Sequence, residues 1–198
     1  IYKTCAVKLV NKNLSHLLFN VMSREQVGMY AVYISTHGNM PDLFRNNPYA
    51  GELKDPLLYD VPEEYKEADS KFAAMLEEAE KFLGYPYVWG GSDPSTSFDC
   101  SGFVSWVLVN SGVKDVGRLG ATSLYGALTP VREDEARPGD IIFFEGTLGE
   151  GVESNDGITH CGIYVGDGMM IHCGSPISYA DLSRSYWQEH FYGYARAY

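Results

Sequence analysis

A chain of 198 residues with 45% hydrophobic content is long enough to bury one substantial core, which excludes disorder as its default state. Its 15 Lys and Arg stand against 26 Asp and Glu, a formal charge of −11, and the basic residues are scattered singly, so no stripe exists to neutralise a phosphate backbone and nucleic acid is excluded as a partner. The same acidity argues against electrostatic adhesion to an anionic membrane or wall polymer.

No window approaches the roughly 18 consecutive apolar residues of a membrane span, and no secretory signal opens the chain, which starts at Ile1. We expect a piece of a longer protein with no direct membrane insertion. Ser23 followed by Gln26 reads as a capping box for a helix in which Val27, Tyr30, Ala31 and Ile34 share a face, stopped at Gly38 to Pro41. The proline-containing stretch from Asn47 to Pro62 has no sustained period and marks a boundary near residue 70. Residues 1–69 are thus expected to form a small, mainly helical N-terminal extension and residues 70–198 the main domain.

Beyond the boundary, Phe72, Leu76, Ala79, Phe82 and Leu83 follow helical spacing, with Gly84 and Pro86 as the stop. A second helix is predicted from Cys100 to about Asn110, with Asp99 as its N-cap, and a third from about Thr122 to Leu128. The texture then turns to strands at Ile141 to Phe144, His160 to Val165, Met169 to Cys173 and Tyr192 to Ala197. Helices followed by strands give an α+β domain. Glu145 to Asp156 is a Gly-rich acidic loop of the length that often serves function.

Chemistry is sought first at Cys100, because a helix N-terminus supplies the dipole and N–H groups that stabilise a thiolate. A histidine would complete its activation and then protonate a leaving amine. By context His37, His160 and His172 are the plausible partners, while His16 and His190 sit in ordinary packing or surface patterns. If Gly166-Asp167-Gly168 is a three-residue turn, Cys161 faces Cys173, and His160 and His172 are diagonal neighbours on one face of the hairpin, with both cysteines on the other. His172 would then orient His160 as the third member of a triad does. The same alternation sends the His and Cys pairs apart and argues against a zinc site. Cys161 and Cys173 read as small buried side chains, with a cross-strand disulfide as the alternative.

Five blocks carry a resemblance: Tyr87-Val88-Trp89-Gly90-Gly91, Phe98-Asp99-Cys100-Ser101-Gly102-Phe103, Arg137-Pro138-Gly139-Asp140, Thr159-His160-Cys161-Gly162-Ile163-Tyr164, and Ile171-His172. In this order and spacing they resemble the NlpC-type cell-wall endopeptidases. The resemblance implies a circularly permuted papain-like core, a helix bearing the nucleophile packed on a central antiparallel β-sheet. It implies Cys100 as nucleophile, His160 as base, His172 as the third, polar member, and Tyr87, Asp99 and Ser101 as lining of the acyl-side pocket; Trp89 is read as core packing. It implies cleavage of peptidoglycan stem peptides at the γ-D-glutamyl–diamino acid bond, without metal or organic cofactor, and hence extracytoplasmic action, secreted or wall-associated. The first 69 residues faintly resemble segments preceding such domains in proteins of mobile conjugative elements. Two rivals are an amidase of the CHAP type, which more often carries Asn or Glu in the third position, and a non-catalytic wall-binding module.

Overall fold

The computed structural model describes residues 59–147 and 157–198; the expected helix after Ser23 and most of the acidic loop lie outside them. Two helices open the described chain, α1 (Glu63–Ala68) and α2 (Ser70–Glu80). Asp69 separates them, and its carboxylate accepts the Lys71 and Phe72 N–H groups as an N-cap should. The helix is shorter at its C-terminus than its apolar spacing suggests, and the left-handed Gly84 (φ 86°) turns the chain out. Packing also reaches upstream of residue 70: Val61 is buried, and Tyr59 and Tyr65 lie against the same core.

A two-stranded ribbon follows, β1 (Ser92–Asp93) with β2 (Ser97–Phe98), leading into α3 (Cys100–Asn110). The helix begins where expected because the Asp99 side chain accepts the Gly102 N–H, and Phe103, Val104, Val107 and Leu108 are all buried. Next come α4 (Ala121–Ala127) and the strands β3 (Thr129–Val131), β4 (Ile141–Glu145), β5 (Ile158–Gly166), β6 (Met169–Cys173) and β7 (Ile177–Asp181). A short helix, α5 (Ser185–Glu189), leads to the last strand, β8 (Phe191–Arg196).

Six strands form one antiparallel sheet in the order β3-β8-β4-β5-β6-β7. Alternation divides its side chains between two apolar clusters. Phe143, Cys161, Ile163, Ile171 and Cys173 join the helices in the main core, against which α3 packs across β5 and β6. Ile142, Phe144, Met170 and Tyr194 face the other way, covered by Leu182 and Trp187. The β5–β6 register is the expected one, with Gly162 opposite His172 and Ile163 opposite Ile171. Its turn is one residue shorter than expected, because a bulge between Tyr164 and Gly166 lets Gly166 face Met169. Asp167 and Gly168, both left-handed at φ 51° and 68°, make the tight turn that matches strand twist.

Asp140, only 1% exposed, anchors the start of β4. It accepts the Arg137 N–H at 2.9 Å and is held by Arg196 through two bonds of 2.8 Å. The Arg-Pro-Gly-Asp block is therefore a structural clamp between β4 and β8. No helix among the described residues is long and apolar enough to cross a membrane.

Candidate active site

Cys100 occupies the first position of α3, where the helix dipole favours negative charge on its sulfur. The thiol is buried beside β5, with its Sγ 3.9 Å from the Thr159 carbonyl oxygen. A hydrogen bond from the Cys161 thiol favours the thiolate most; burial opposes it, and contact with His160 together with that residue's charge adds to the favourable side. The Cys100 thiol is thereby held well below its ordinary range. Burial and the neighbouring Cys100 push the Cys161 thiol the opposite way, so it stays protonated and able to donate.

His160 and His172 are diagonal neighbours across β5 and β6, as the register arithmetic requires. His160 Nε2 lies 2.8 Å from His172 Nδ1, and their rings meet edge to face at 5.0 Å. With Nε2 engaged, Nδ1 is the His160 nitrogen left to serve the thiol. The His172 ring is pushed well below the usual histidine range, first by burial and then by the charge of His160. It therefore stays neutral, and a neutral ring protonated on Nε2 presents Nδ1 as an acceptor to a His160 imidazolium. The structure thus brings Cys100, His160 and His172 together in sequence, thiol to imidazole to imidazole.

Tyr87 borders the thiol from the ribbon side, joined to Phe98 by an isolated bridge. Burial, then the charges of Cys100 and Asp99, push its hydroxyl well above the ordinary tyrosine range, so it remains a neutral donor toward Cys100. Asp99 is 8% exposed and extensively engaged: it accepts the Gly102 N–H at 2.7 Å and the Gly90 N–H at 3.1 Å, and pairs with the Arg118 guanidinium. Ser101 is also buried; its hydroxyl lies 3.2 Å from an Asp99 oxygen and accepts from Arg118 at 3.0 Å. Asp99 and Ser101 thus reach the site's surroundings chiefly through the exposed Arg118. Gly102 allows this arrangement, since a Cβ there would stand 2.1 Å from the Gly91 carbonyl oxygen.

Trp89 corrects the sequence reading. It is 73% exposed rather than packed in the core, because the tight Gly90-Gly91 turn onto Asp99 carries its side chain outward. Cys161 and Cys173 are buried and free, and Cys173 Sγ donates to the Phe98 carbonyl at 3.2 Å. Arg118 and Trp187, both at the site, were not foreseen: a lone arginine in a Gly-rich loop and an aromatic on a one-turn helix carry no spacing signal. Among the described residues no cluster of three His, Cys, Asp or Glu is placed to hold a metal ion.

The model of the NlpC/P60 family matches residues 84–196. The chain is 43% identical over 126 residues to the bifunctional muramidase/DL-endopeptidase CwlT of Bacillus subtilis, covering 63% of this chain and 36% of that one. It is 41% identical over 123 residues to a probable endopeptidase p60 of Listeria seeligeri, covering 62% and 21%. The chain therefore spans well under half the length of these relatives. Among solved structures, a protein of Staphylococcus aureus described as similar to a lipoprotein of the NLP/P60 family superposes with a TM-score of 0.59 at 40% identity, covering 65% of this chain and 42% of that one.

Proposed function

This chain belongs to the NlpC/P60 family, and from that premise we propose that it is a cysteine peptidase hydrolysing the peptidoglycan stem peptide at the γ-D-glutamyl–diamino acid bond. The observation that carries the reading is the linked trio: a thiol at a helix N-terminus held well below its ordinary pKa, and a buried imidazole pair joined at 2.8 Å. Relatives named as a DL-endopeptidase, a γ-DL-glutamyl hydrolase and a murein endopeptidase support the substrate class.

In the proposed cycle the Cys100 thiolate attacks the γ-carbonyl carbon of D-glutamate, and the backbone N–H of Cys100 stabilises the oxyanion at the start of α3. The C–N bond breaks as His160 Nδ1–H delivers its proton to the departing amine, leaving a thioester on Cys100. Water then attacks the thioester while His160 takes up its proton, and the acid product leaves with the thiolate restored. His172, neutral throughout, accepts the His160 Nε2–H and fixes the ring for both transfers. Tyr87 and the polar surface of Asp99, Ser101 and Arg118 are assigned to the acyl side, where a γ-linked D-residue needs positioned polar partners rather than a deep apolar slot.

The peptidase unit, whose packing already includes Tyr59 and Val61, is assigned to the C-terminal part of the chain up to Tyr198, with the preceding residues a separate segment of a longer envelope protein. Its substrate places its action outside the cytoplasm, secreted or wall-associated.

The test is digestion of purified muropeptides of diaminopimelate and lysine types by wild type and Cys100→Ala, with products identified by mass spectrometry. Fragments ending in D-glutamate from wild type alone support the endopeptidase. Release of an intact stem with a new L-Ala amino terminus replaces it with an amidase, and binding without cleavage replaces it with a wall-binding module.

A further inference from the structure

The two histidines lie on the Phe144 side of the sheet, where Trp187 packs over them. Trp187, delivered by α5, stacks over His160 with ring centroids 5.7 Å apart and planes inclined by 26°. The same indole meets His172 edge to face at 5.1 Å and Phe144 at 4.8 Å. Phe144 also sits directly opposite His160 across β4 and β5. Among the described residues, the Nε2···Nδ1 hydrogen bond thus lies between the sheet and the Trp187 indole. His160 and His172 are only 9% and 7% exposed.

We propose that Trp187 is a positioning residue for the His160–His172 pair, holding the base in its stack and keeping water from the bond between the rings. This rests on the peptidase reading given above. Two physical effects act in the same direction. The negative face of an indole attracts a cation lying parallel to it, so the stack favours His160 as imidazolium. A hydrogen bond shielded from water is electrostatically stronger, so the bond from His160 Nε2–H to neutral His172 also favours the charged ring. Both hold the ring in the orientation from which it passes its proton to the leaving amine. Bulk alone does not supply the first effect, which separates the roles of shape and π-face.

Trp187→Ala, Trp187→Leu and Trp187→Phe provide the test, with two readouts. The first is the His160 ring titration followed by 1H–15N NMR on the full chain, which needs no substrate. The second is the alkaline limb of kcat/KM on muropeptide. Removing the π-face is expected to weaken the imidazolium about three- to tenfold, lowering the His160 titration and the alkaline limb together by about 0.5–1 pH unit in the Ala and Leu variants. KM stays near wild type, and Trp187→Phe recovers most of the loss. Should the Ala variant not fold, the Leu and Phe pair carries the comparison. Unchanged His160 titration and an unchanged alkaline limb in a folded Leu or Ala variant would overturn the proposal. A change confined to KM would overturn it too, making Trp187 a substrate contact. If wild type cleaves no muropeptide while the NMR shift appears, the positioning inference stands and the peptidase reading fails.

Discussion

Replacing His172 by Ala removes the acceptor 2.8 Å from His160 Nε2 and leaves that N–H facing a buried gap. A hydrogen bond from a charged donor contributes about 1.5–3 kcal/mol, and one pH unit corresponds to about 1.4 kcal/mol. The bond is made most strongly by the imidazolium, so its loss destabilises charged His160 relative to neutral His160. Two consequences follow for the pair with Cys100. The thiolate–imidazolium form gives way in part to the neutral thiol–imidazole form, lowering the plateau of kcat/KM. The alkaline limb, where His160 gives up its proton, moves down by about 1–2 units. The acid limb does not rise, because both species interconverting there already carry imidazolium. At pH 8 the combined loss in kcat/KM is expected to be about ten- to a hundredfold. Initial rates of muropeptide hydrolysis between pH 5 and pH 9 measure this, with a thermal melt to show that the variant folds. His172→Asn, which offers a carbonyl oxygen, should recover part of the alkaline limb. A folded His172→Ala with wild-type limbs and a rate within about threefold of wild type would refute the reasoning, since so small an effect is below one hydrogen bond to a charged group.

Other substitutions test the scaffold beneath the site. Gly102→Ala drives a methyl into the Gly91 carbonyl, 2.1 Å from the ideal Cβ, and so should cost about 1–3 kcal/mol in a denaturant melt and displace the Tyr87 to Gly91 segment. Asp140→Asn breaks the paired bonds from Arg196 at the start of β4. Because Asp140 is fully enclosed, this should cost about 3 kcal/mol of stability while leaving the pH limbs of any remaining activity in place, a separation that melts and rate profiles together resolve.

Much of the site was readable because it depends on local rules. Asp99 preceding Cys100 marks a helix start, and the structure begins α3 there with the expected cap. Strand alternation placed His160 and His172 on one face, and the observed register retains their diagonal relation although the turn is a residue shorter. The bulge absorbs the difference without shifting the inner pairs. What was not readable depends on chain segments meeting at a distance. Ile177–Asp181 mixes polar and apolar residues as an edge strand does and presents a weak pattern, yet it pairs along all of β6. Trp187 lies on a helix of five residues, too short to show a period, and its importance comes from what it stacks upon. Arg118 follows a glycine in a loop, and only the fold brings it to Asp99 and Ser101. Trp89 misled for a related reason: large aromatics are usually buried, but the glycine turn beside it directs the side chain into solvent.

The central claim is that Cys100 is a thiolate paired with His160. Its most direct test is the rate of iodoacetamide alkylation at pH 6 in wild type and His160→Ala, with the adduct mapped to its residue by mass spectrometry. An ordinary thiol is almost wholly protonated at that pH, so the account predicts labelling at Cys100, not at buried Cys161 or Cys173, at least about tenfold faster in wild type than in the variant. Equal slow labelling of Cys100 in both proteins would contradict it.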